Sequence, residues 1–278
     1  MQNKTILDSL KNAKPQRQTL VKMRINGIEL YFEKNGEGAP IVFSGAWLDD
    51  LSIWNAQVEH FSKKYLTVTY DHRGHGKSDK AETGQGNYSV QILADDLATL
   101  IQNLGLEKPV VVGFSLGGMV ALHFASEYPK RLSKLVLVGT CAKVIPPTGS
   151  RLLKAIGRLL PKKMFYRMLC KYRFYKPSKQ RADEWLERAL KVDKAVAFES
   201  WGEWAETCDL SDGVSKVQVP TLIVAGDKDE VFLETCLNLK EHIKGSQLKI
   251  VAGSGHTVSV EKPQEFNQIL EEFLAQHS

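Results

Sequence analysis

The residues with the clearest chemical potential lie in the run Gly113-Phe114-Ser115-Leu116-Gly117-Gly118. The apolar run Val110 to Val112 precedes it and the helical stretch Met119 to Glu127 follows it, so the serine stands at a strand-to-helix turn. The small residues let the chain turn tightly and lift the Ser115 hydroxyl clear of a sheet. A chance Gly-x-Ser-x-Gly in a loop is the alternative, and the flanking elements argue against it. The pattern predicts a nucleophilic serine.

A serine hydroxyl is a poor nucleophile at neutral pH and needs a base beside it. Among seven histidines, His256 fits best, because it follows the last predicted strand and precedes the C-terminal helix. Catalytic groups collect at the carboxyl edge of such sheets. We expect structural roles for His72 and His75, which belong to a turn-rich loop, and a packing role for His123 in the helix after Ser115.

A catalytic histidine must also be held in one tautomer by an acid. The apolar run Leu222 to Ala225 ends in Gly226-Asp227-Lys228-Asp229-Glu230, and either aspartate could turn inward. The chain order serine, acid, histidine is the usual one after a strand-turn-helix serine. Periodicity alone leaves Asp227 and Asp229 both open.

A scaffold of alternating strands and helices must position these loops. Two β-rich runs around Asn26-Gly27, within Val21 to Phe32, predict a tight hairpin and an antiparallel edge. One-sided apolar spacing predicts helices over Val90 to Leu104 and over Pro263 to Gln276. Short apolar runs predict further strands buried on both faces, at Ile41 to Phe43, Leu66 to Tyr70, Val110 to Val112, Leu135 to Val138, Leu222 to Ala225 and Leu248 to Val251. The alternation predicts an α/β fold with a mostly parallel, doubly wound sheet.

About eighty residues of helical character interrupt the alternation between Gly139 and Thr221. We interpret them as an inserted helical cap. The predicted organisation is a flexible leader over residues 1–20, core over 21–140, cap over 141–215 and core again over 216–278. The cap is rich in aromatic residues, namely Tyr172, Trp185, Phe198, Trp201 and Trp204. Of these, Phe198, Trp201 and Trp204 could line an apolar pocket or pack the cap itself.

The net charge of +5 arises locally. Residues 151–181 carry eleven Lys or Arg and no Asp or Glu, which leaves 26 basic against 32 acidic residues elsewhere. Such a basic amphipathic stretch can lie on an anionic membrane or attract an acidic substrate. The commoner arrangement, which we expect here, is a lid with its charged face in solvent and its apolar face packed inward.

The remaining composition excludes several classes. The four cysteines are scattered singly, without metal-ligand spacing, so a reducing, cytoplasmic location is expected. The first eighteen residues lack the apolar core of a secretory signal, and no run approaches the ~18 apolar residues of a membrane span. No metal, nucleotide or redox cofactor and no nucleic-acid partner are implied; the glycines around Ser115 do not match a phosphate-binding loop.

Four segments together resemble the α/β-hydrolase superfamily: Gly113 to Gly118, Asp71-His72-Arg73-Gly74-His75-Gly76-Lys77-Ser78, Gly226 to Asp229, and Gly255-His256. The resemblance extends from about residue 22 over nearly the whole chain, excepting the cap. It implies the α/β-hydrolase fold. Because the acid of that family occupies the last position of Gly-x-x-Asp, the resemblance also favours Asp229 over Asp227.

An oxyanion hole is implied as well. One donor is expected to be the N–H of Leu116, directly after the nucleophile. The resemblance assigns the second to Ala46, in the loop after Ile41 to Phe43. Relatives commonly have His-Gly where this chain has Ser44-Gly45, and Trp47 could substitute for the missing histidine.

Serine at position 115 excludes the chemistry of relatives that open epoxides or displace halide with an aspartate. The resemblance therefore implies a hydrolase in which Ser115, Asp229 and His256 cleave an ester, lactone or related acyl bond of a small molecule through an acyl-enzyme. A C–C bond hydrolase, an acyltransferase or a cofactor-free haloperoxidase could use the same triad. A ligand receptor that retains the triad is an alternative of another class. The sequence determines neither the acyl substrate nor the oligomeric state.

Overall fold

A single eight-stranded sheet forms the frame of the computed structural model, which describes residues 18–144 and 150–276. The strands are β1 (Gln18–Ile25), β2 (Ile28–Asn35), β3 (Pro40–Ser44), β4 (Leu66–Tyr70), β5 (Val110–Phe114), β6 (Lys134–Val138), β7 (Thr221–Gly226) and β8 (Gln247–Val251). Their order in the sheet is β1-β2-β4-β3-β5-β6-β7-β8. β1 and β2 pair antiparallel, as do β2 and β4, and every later pairing is parallel.

Helices cover both faces of this sheet. One face carries α2 (Val90–Asn103), α3 (Leu116–Glu127) and α9 (Leu233–His242), whose apolar residues join the larger core cluster. The other carries α1 (Asn55–Phe61), α10 (Val258–Glu261) and α11 (Pro263–Ala275), around a second cluster. A parallel sheet with helices on both sides leaves the carboxyl ends of its strands as the natural place for a site.

The strand and helix predictions are confirmed with one exception. The hairpin turns at Asn26 and Gly27, which both have positive φ, and each predicted apolar run lies in a strand. The expectation that every run is buried on both faces is wrong for β8. Ile250 is 50% exposed because β8 forms the edge of the sheet and one of its faces is open.

The segment between β6 and β7 is helical, as expected of an inserted cap. It contains α4 (Ser150–Leu159), α5 (Lys162–Arg173), α6 (Lys179–Ala189), α7 (Lys194–Trp201), a π-helical turn (Gly202–Thr207) and α8 (Ser211–Val214). These helices enclose a third apolar cluster. Of the predicted leader, residues 1–17 lie outside the described part of the chain, and so does the side chain of Tyr172.

The orientation of α4 differs from the expectation. Its apolar residues Leu152 and Leu159 are 64% and 88% exposed, whereas Lys154 faces the body and pairs with Glu206. Within the described residues, no helix has the length and apolar character needed to cross a bilayer.

Candidate active site

The nucleophile candidate lies on a strained turn. Ser115 joins β5 to α3 with φ 54° and ψ −116°, a conformation that costs a non-glycine residue of order 1–3 kcal/mol. Its N–H donates to the carbonyl of Val138 at 2.9 Å, and its own carbonyl accepts from the Thr140 hydroxyl at 2.7 Å. Both bonds tie the turn to β6 and the residues after it, so the neighbouring strand holds the strain in place.

Glycine is required at the positions around this turn because there is no room for a side chain. A Cβ on Gly113 would collide with the backbone of Gly117, and a Cβ on Gly117 would collide with the carbonyls of Ser44 and Gly45. A Cβ on Gly118 would lie 2.6 Å from the side chain of Thr140. The tight turn expected from the small residues therefore has specific contacts that require glycine, and Gly118 in addition lets α3 approach Thr140 closely.

The structure brings Ser115, His256 and Asp229 together at the carboxyl ends of their strands. The Ser115 hydroxyl lies 3.0 Å from Nε2 of His256, and Nδ1 of His256 lies 2.9 Å from Oδ2 of Asp229. All three are at most 8% exposed. Because a carboxylate only accepts, the ring proton sits on Nδ1, which leaves Nε2 free to accept the hydroxyl proton.

The two aspartates that periodicity left open, of which the resemblance favours Asp229, have different environments. Burial alone would raise the pKa of Asp229, but the charge and hydrogen bond of His256 and the N–H groups of Phe232 and Val231 outweigh burial and lower it. Asp227 is partly exposed, pairs with Lys228 and accepts from a backbone N–H. Only Asp229 is placed to orient the histidine.

Two aromatic rings that the sequence analysis did not single out flank His256. Phe232 stacks on the imidazole with ring centroids 4.6 Å apart, and Phe114 lies 4.9 Å away on a tilted ring. Two aromatic rings at these distances limit the rotation of the imidazole and displace water from it. Phe114 could have been suspected from its place beside Ser115, whereas no local pattern marks Phe232.

The proposed oxyanion donors lie in segments that touch. Leu116 is the first residue of α3, so its N–H has no acceptor within the helix. Ala46 is buried in the loop after β3, and the carbonyls just before it press against Gly117, the residue after Leu116. Two N–H groups from these segments could serve an oxygen beside Ser115.

His72 supports the loop that carries Ala46. Its Nε2 donates to the carbonyl of Gly45 at 3.0 Å and lies 3.3 Å from the Ser44 hydroxyl. Desolvation by full burial lowers the pKa of His72 to about 3, so the ring is neutral. The structural role expected for His72 thus includes holding the loop after β3 in place. Relatives commonly have a histidine within that loop, where this chain has Ser44.

The aromatic candidates form a bridge between this loop and the cap. Trp47 meets Trp201 and Trp204 edge to face, with centroids 5.4 and 5.7 Å apart, and its Nε1 donates to Ser200 of α7. Phe198 instead stacks within the cap, 5.1 Å from the ring of Phe165. The two alternatives, lining a pocket or packing the cap, therefore apply to different residues. Phe198 packs the cap, whereas the three tryptophans lie where the cap meets the core.

A buried ionic cluster beside the site was also missed. Asp49, just after Trp47, pairs with Arg173 of α5 and with Arg188 of α6. Desolvation, followed by the charge of Arg188, lowers the pKa of Arg173 to about 9. The Arg173 guanidinium lies 5.2 Å from the ring of Phe114. These residues are distant in sequence and follow no motif, so only the fold reveals the cluster, which ties the loop to the cap.

Comparison with known proteins agrees with this geometry. A family model described as alpha/beta hydrolase fold matches residues 39–169. The 3-oxoadipate enol-lactonase 2 of Acinetobacter baylyi is 28% identical over 240 residues, which cover 83% of this chain and 86% of that one. A non-heme haloperoxidase of Rhodococcus erythropolis is 27% identical, covering 90% and 97%. An esterase from Exiguobacterium antarcticum superposes with a TM-score of 0.85 at 25% identity, covering 92% of this chain and all of that one.

The chain therefore has the α/β-hydrolase fold and is similar in sequence to proteins of that superfamily. The resemblance noted from four short segments is confirmed over about nine tenths of the chain by the structural likeness.

Proposed function

We propose that the protein is a serine hydrolase that cleaves an ester or lactone bond of a small molecule. The observation that carries the proposal is the buried relay of two short contacts, 3.0 Å from the Ser115 hydroxyl to His256 and 2.9 Å from His256 to Asp229. Relatives named as enol-lactonases and esterases support the ester-type substrate.

The proposed reaction has two halves. His256 Nε2 takes the Ser115 proton as the serine oxygen attacks the carbonyl carbon, and the imidazolium that forms is stabilised by Asp229. The negative charge on the carbonyl oxygen is met by the N–H groups of Leu116 and Ala46. His256 then gives its proton to the leaving oxygen, which leaves an acyl-enzyme. In the second half, water replaces the leaving group, and the same proton transfers release the acid and restore Ser115.

The cap is proposed to select the substrate. Trp47, Trp201 and Trp204 meet at the junction of the cap and the loop that carries Ala46, close to where an acyl or leaving group would project. Large aromatic side chains there favour an apolar substituent. We also propose that the cap comprises residues 141–215 and that the core lies on either side of it in the chain, because the helices of this segment are inserted between β6 and β7.

Hydrolysis and peroxide-dependent chemistry share the first half of this reaction. An acyl-enzyme can pass its acyl group to any nucleophile that reaches it, and a relative named as a non-heme haloperoxidase makes hydrogen peroxide the alternative acceptor to test. Product analysis with water alone, with peroxide and with alcohols separates a hydrolase from a perhydrolase or an acyltransferase. We expect the free acid to dominate with water alone.

The primary test is Ser115→Ala, assayed with p-nitrophenyl esters and a fluorophosphonate label. We expect loss of both turnover and labelling with unchanged folding, since the methyl group fits where the hydroxyl stood. Ser126→Ala is a matched control from the far end of α3, whose hydroxyl only donates to the carbonyl of His123. Retained ester turnover in Ser115→Ala would refute the nucleophile assignment. Labelling of the native chain without multiple turnover would favour a receptor.

We also propose that the protein works in the cytoplasm. All four cysteines are free thiols, and three of them are buried. Burial raises the pKa of Cys141 and, to about 12, that of Cys236, so these thiols are unreactive side chains of the core. Cell fractionation with an antibody to the native chain tests the location.

A further inference from the structure

The cap carries an apolar surface that faces outward. Leu152, Ile156 and Leu159 lie on one side of α4 at spacings of four and three, and they are 64%, 42% and 88% exposed. On the opposite side, Lys154 pairs with Glu206 at 2.9 Å, and the Arg158 guanidinium lies 5.8 Å from the Phe198 ring. The helix is thus turned with Lys154 toward the body and with these three apolar side chains toward solvent.

A second group of exposed apolar side chains follows on α5. Met164 and Met168, one turn apart, are 53% and 37% exposed, while Phe165 on the other side is fully buried. Lys163 and Arg167 are exposed beside the methionines, and both line the same shallow depression. We call the five exposed apolar residues and these two basic residues the α4–α5 face.

Exposed apolar side chains are concentrated on this face and are not spread evenly over the surface. Of the eight exposed large hydrophobic side chains among the described residues, five lie between positions 152 and 168, and the others are scattered singly. The same stretch belongs to residues 151–181, which contain eleven basic and no acidic residues. Aliphatic side chains with a basic surround suit a surface that is both apolar and negatively charged.

Charge limits what can cover the face. A second copy of the chain would bring the same basic surface, and the two would repel. Residues 1–17 carry four Lys or Arg and one Asp, so this segment is repelled in the same way. A protein interface of high affinity usually presents aromatic anchors, and none of the five exposed apolar side chains of this face is aromatic.

We propose that the α4–α5 face docks onto an anionic lipid bilayer, with its leucine, isoleucine and methionine side chains at the acyl boundary and its lysine and arginine side chains among the headgroups. Two kinds of attraction act together there, since burial of aliphatic area adds to attraction by anionic headgroups. The hydrolase is then a peripheral membrane protein held by its cap.

The test is co-sedimentation of the full chain with vesicles of phosphatidylcholine alone or with about one third phosphatidylglycerol. We expect binding to the anionic vesicles at least about tenfold stronger than to the neutral ones, and weaker binding as salt is added. The double variant Ile156→Ser with Leu159→Ser should lose about tenfold or more in partitioning, because two buried aliphatic side chains are removed.

The matched control removes two equally apolar, exposed side chains elsewhere. Leu237→Ser with Ile250→Ser changes residues that are 41% and 50% exposed and should bind vesicles as the native chain does. Circular dichroism checks that all variants are folded, and ester turnover of each should stay at the native level.

Three results would overturn the docking proposal: no preference for anionic vesicles, native binding by the Ile156 and Leu159 variant, or equal loss in the control pair. Analytical ultracentrifugation adds a fourth. A dimer that the Ile156 and Leu159 substitutions dissociate, without vesicle binding, would make the face a subunit interface instead. None of these results bears on Ser115, so the proposed activity stands or fails separately.

Discussion

Replacing Asp229 by asparagine isolates the contribution of one buried charge. The substitution keeps the size of the side chain, and its oxygen can still accept from the N–H groups of Val231 and Phe232. The imidazolium of the transition state loses its counter-charge, however. At a charge separation of about 4 Å and an effective dielectric constant of about 20, that pair contributes about 4 kcal/mol, or roughly a thousandfold in rate. The amide NH2 can also donate to Nδ1 and move the ring proton to the wrong nitrogen, so we expect a total loss of about 10³ to 10⁴ in kcat.

Asp227→Asn is the internal control for this experiment. Asp227 lies two residues earlier in the same loop, but its carboxylate is partly exposed and pairs with the exposed Lys228. We expect its kcat with a p-nitrophenyl ester to stay within about threefold of native, since a surface ion pair contributes little. Thermal melting of both variants separates misfolding from a catalytic loss. Equal losses for Asp227 and Asp229, or more than about a tenth of native kcat in the folded Asp229 variant, would refute the relay.

Three further changes probe the frame. Asp49→Asn leaves the buried Arg173 and the partly buried Arg188 without their carboxylate and should lower the free energy of unfolding by about 3–5 kcal/mol in urea titration, whereas Asp183→Asn, in an exposed pair, should melt as native. Gly118→Ala should lower it by about 1–3 kcal/mol, because the new Cβ overlaps a buried threonine; an unchanged melting temperature would contradict the close approach. Desolvation lowers the pKa of His75 to about 4. Between about pH 6.5 and pH 4 the unfolded chain therefore binds a proton at this residue that the folded chain does not, and the free energy of unfolding decreases as the pH is lowered through that range. His75→Gln should therefore flatten the dependence of unfolding free energy on pH by about one proton in that range, and an unaltered slope would count against the buried neutral ring.

Much of the frame could be predicted from local sequence. The strand Leu66–Tyr70 appears at its predicted bounds because its apolar and β-branched residues suit a strand buried between two layers of helices. The turn at Ser115 could be recognised because its glycines are required by close contacts with residues a few positions away and with the adjacent strand. The partial exposure of β8 was missed, since a strand's place at the edge of the sheet depends on which strands pair and not on its own residues.

The sequence by itself determined the elements, their alternation, and the residue types that could act as nucleophile, base and acid, because helix and strand periodicity and tight turns are local properties. Tertiary structure alone decided which aspartate meets His256, how Asp49 joins two cap arginines, and that α4 turns its apolar side outward. Each of these depends on where distant segments pack, and neither the spacing of Asp227 and Asp229 nor the periodicity of α4 carries that information. A helix shows from its sequence that it has two faces, but only its neighbours determine which face is covered.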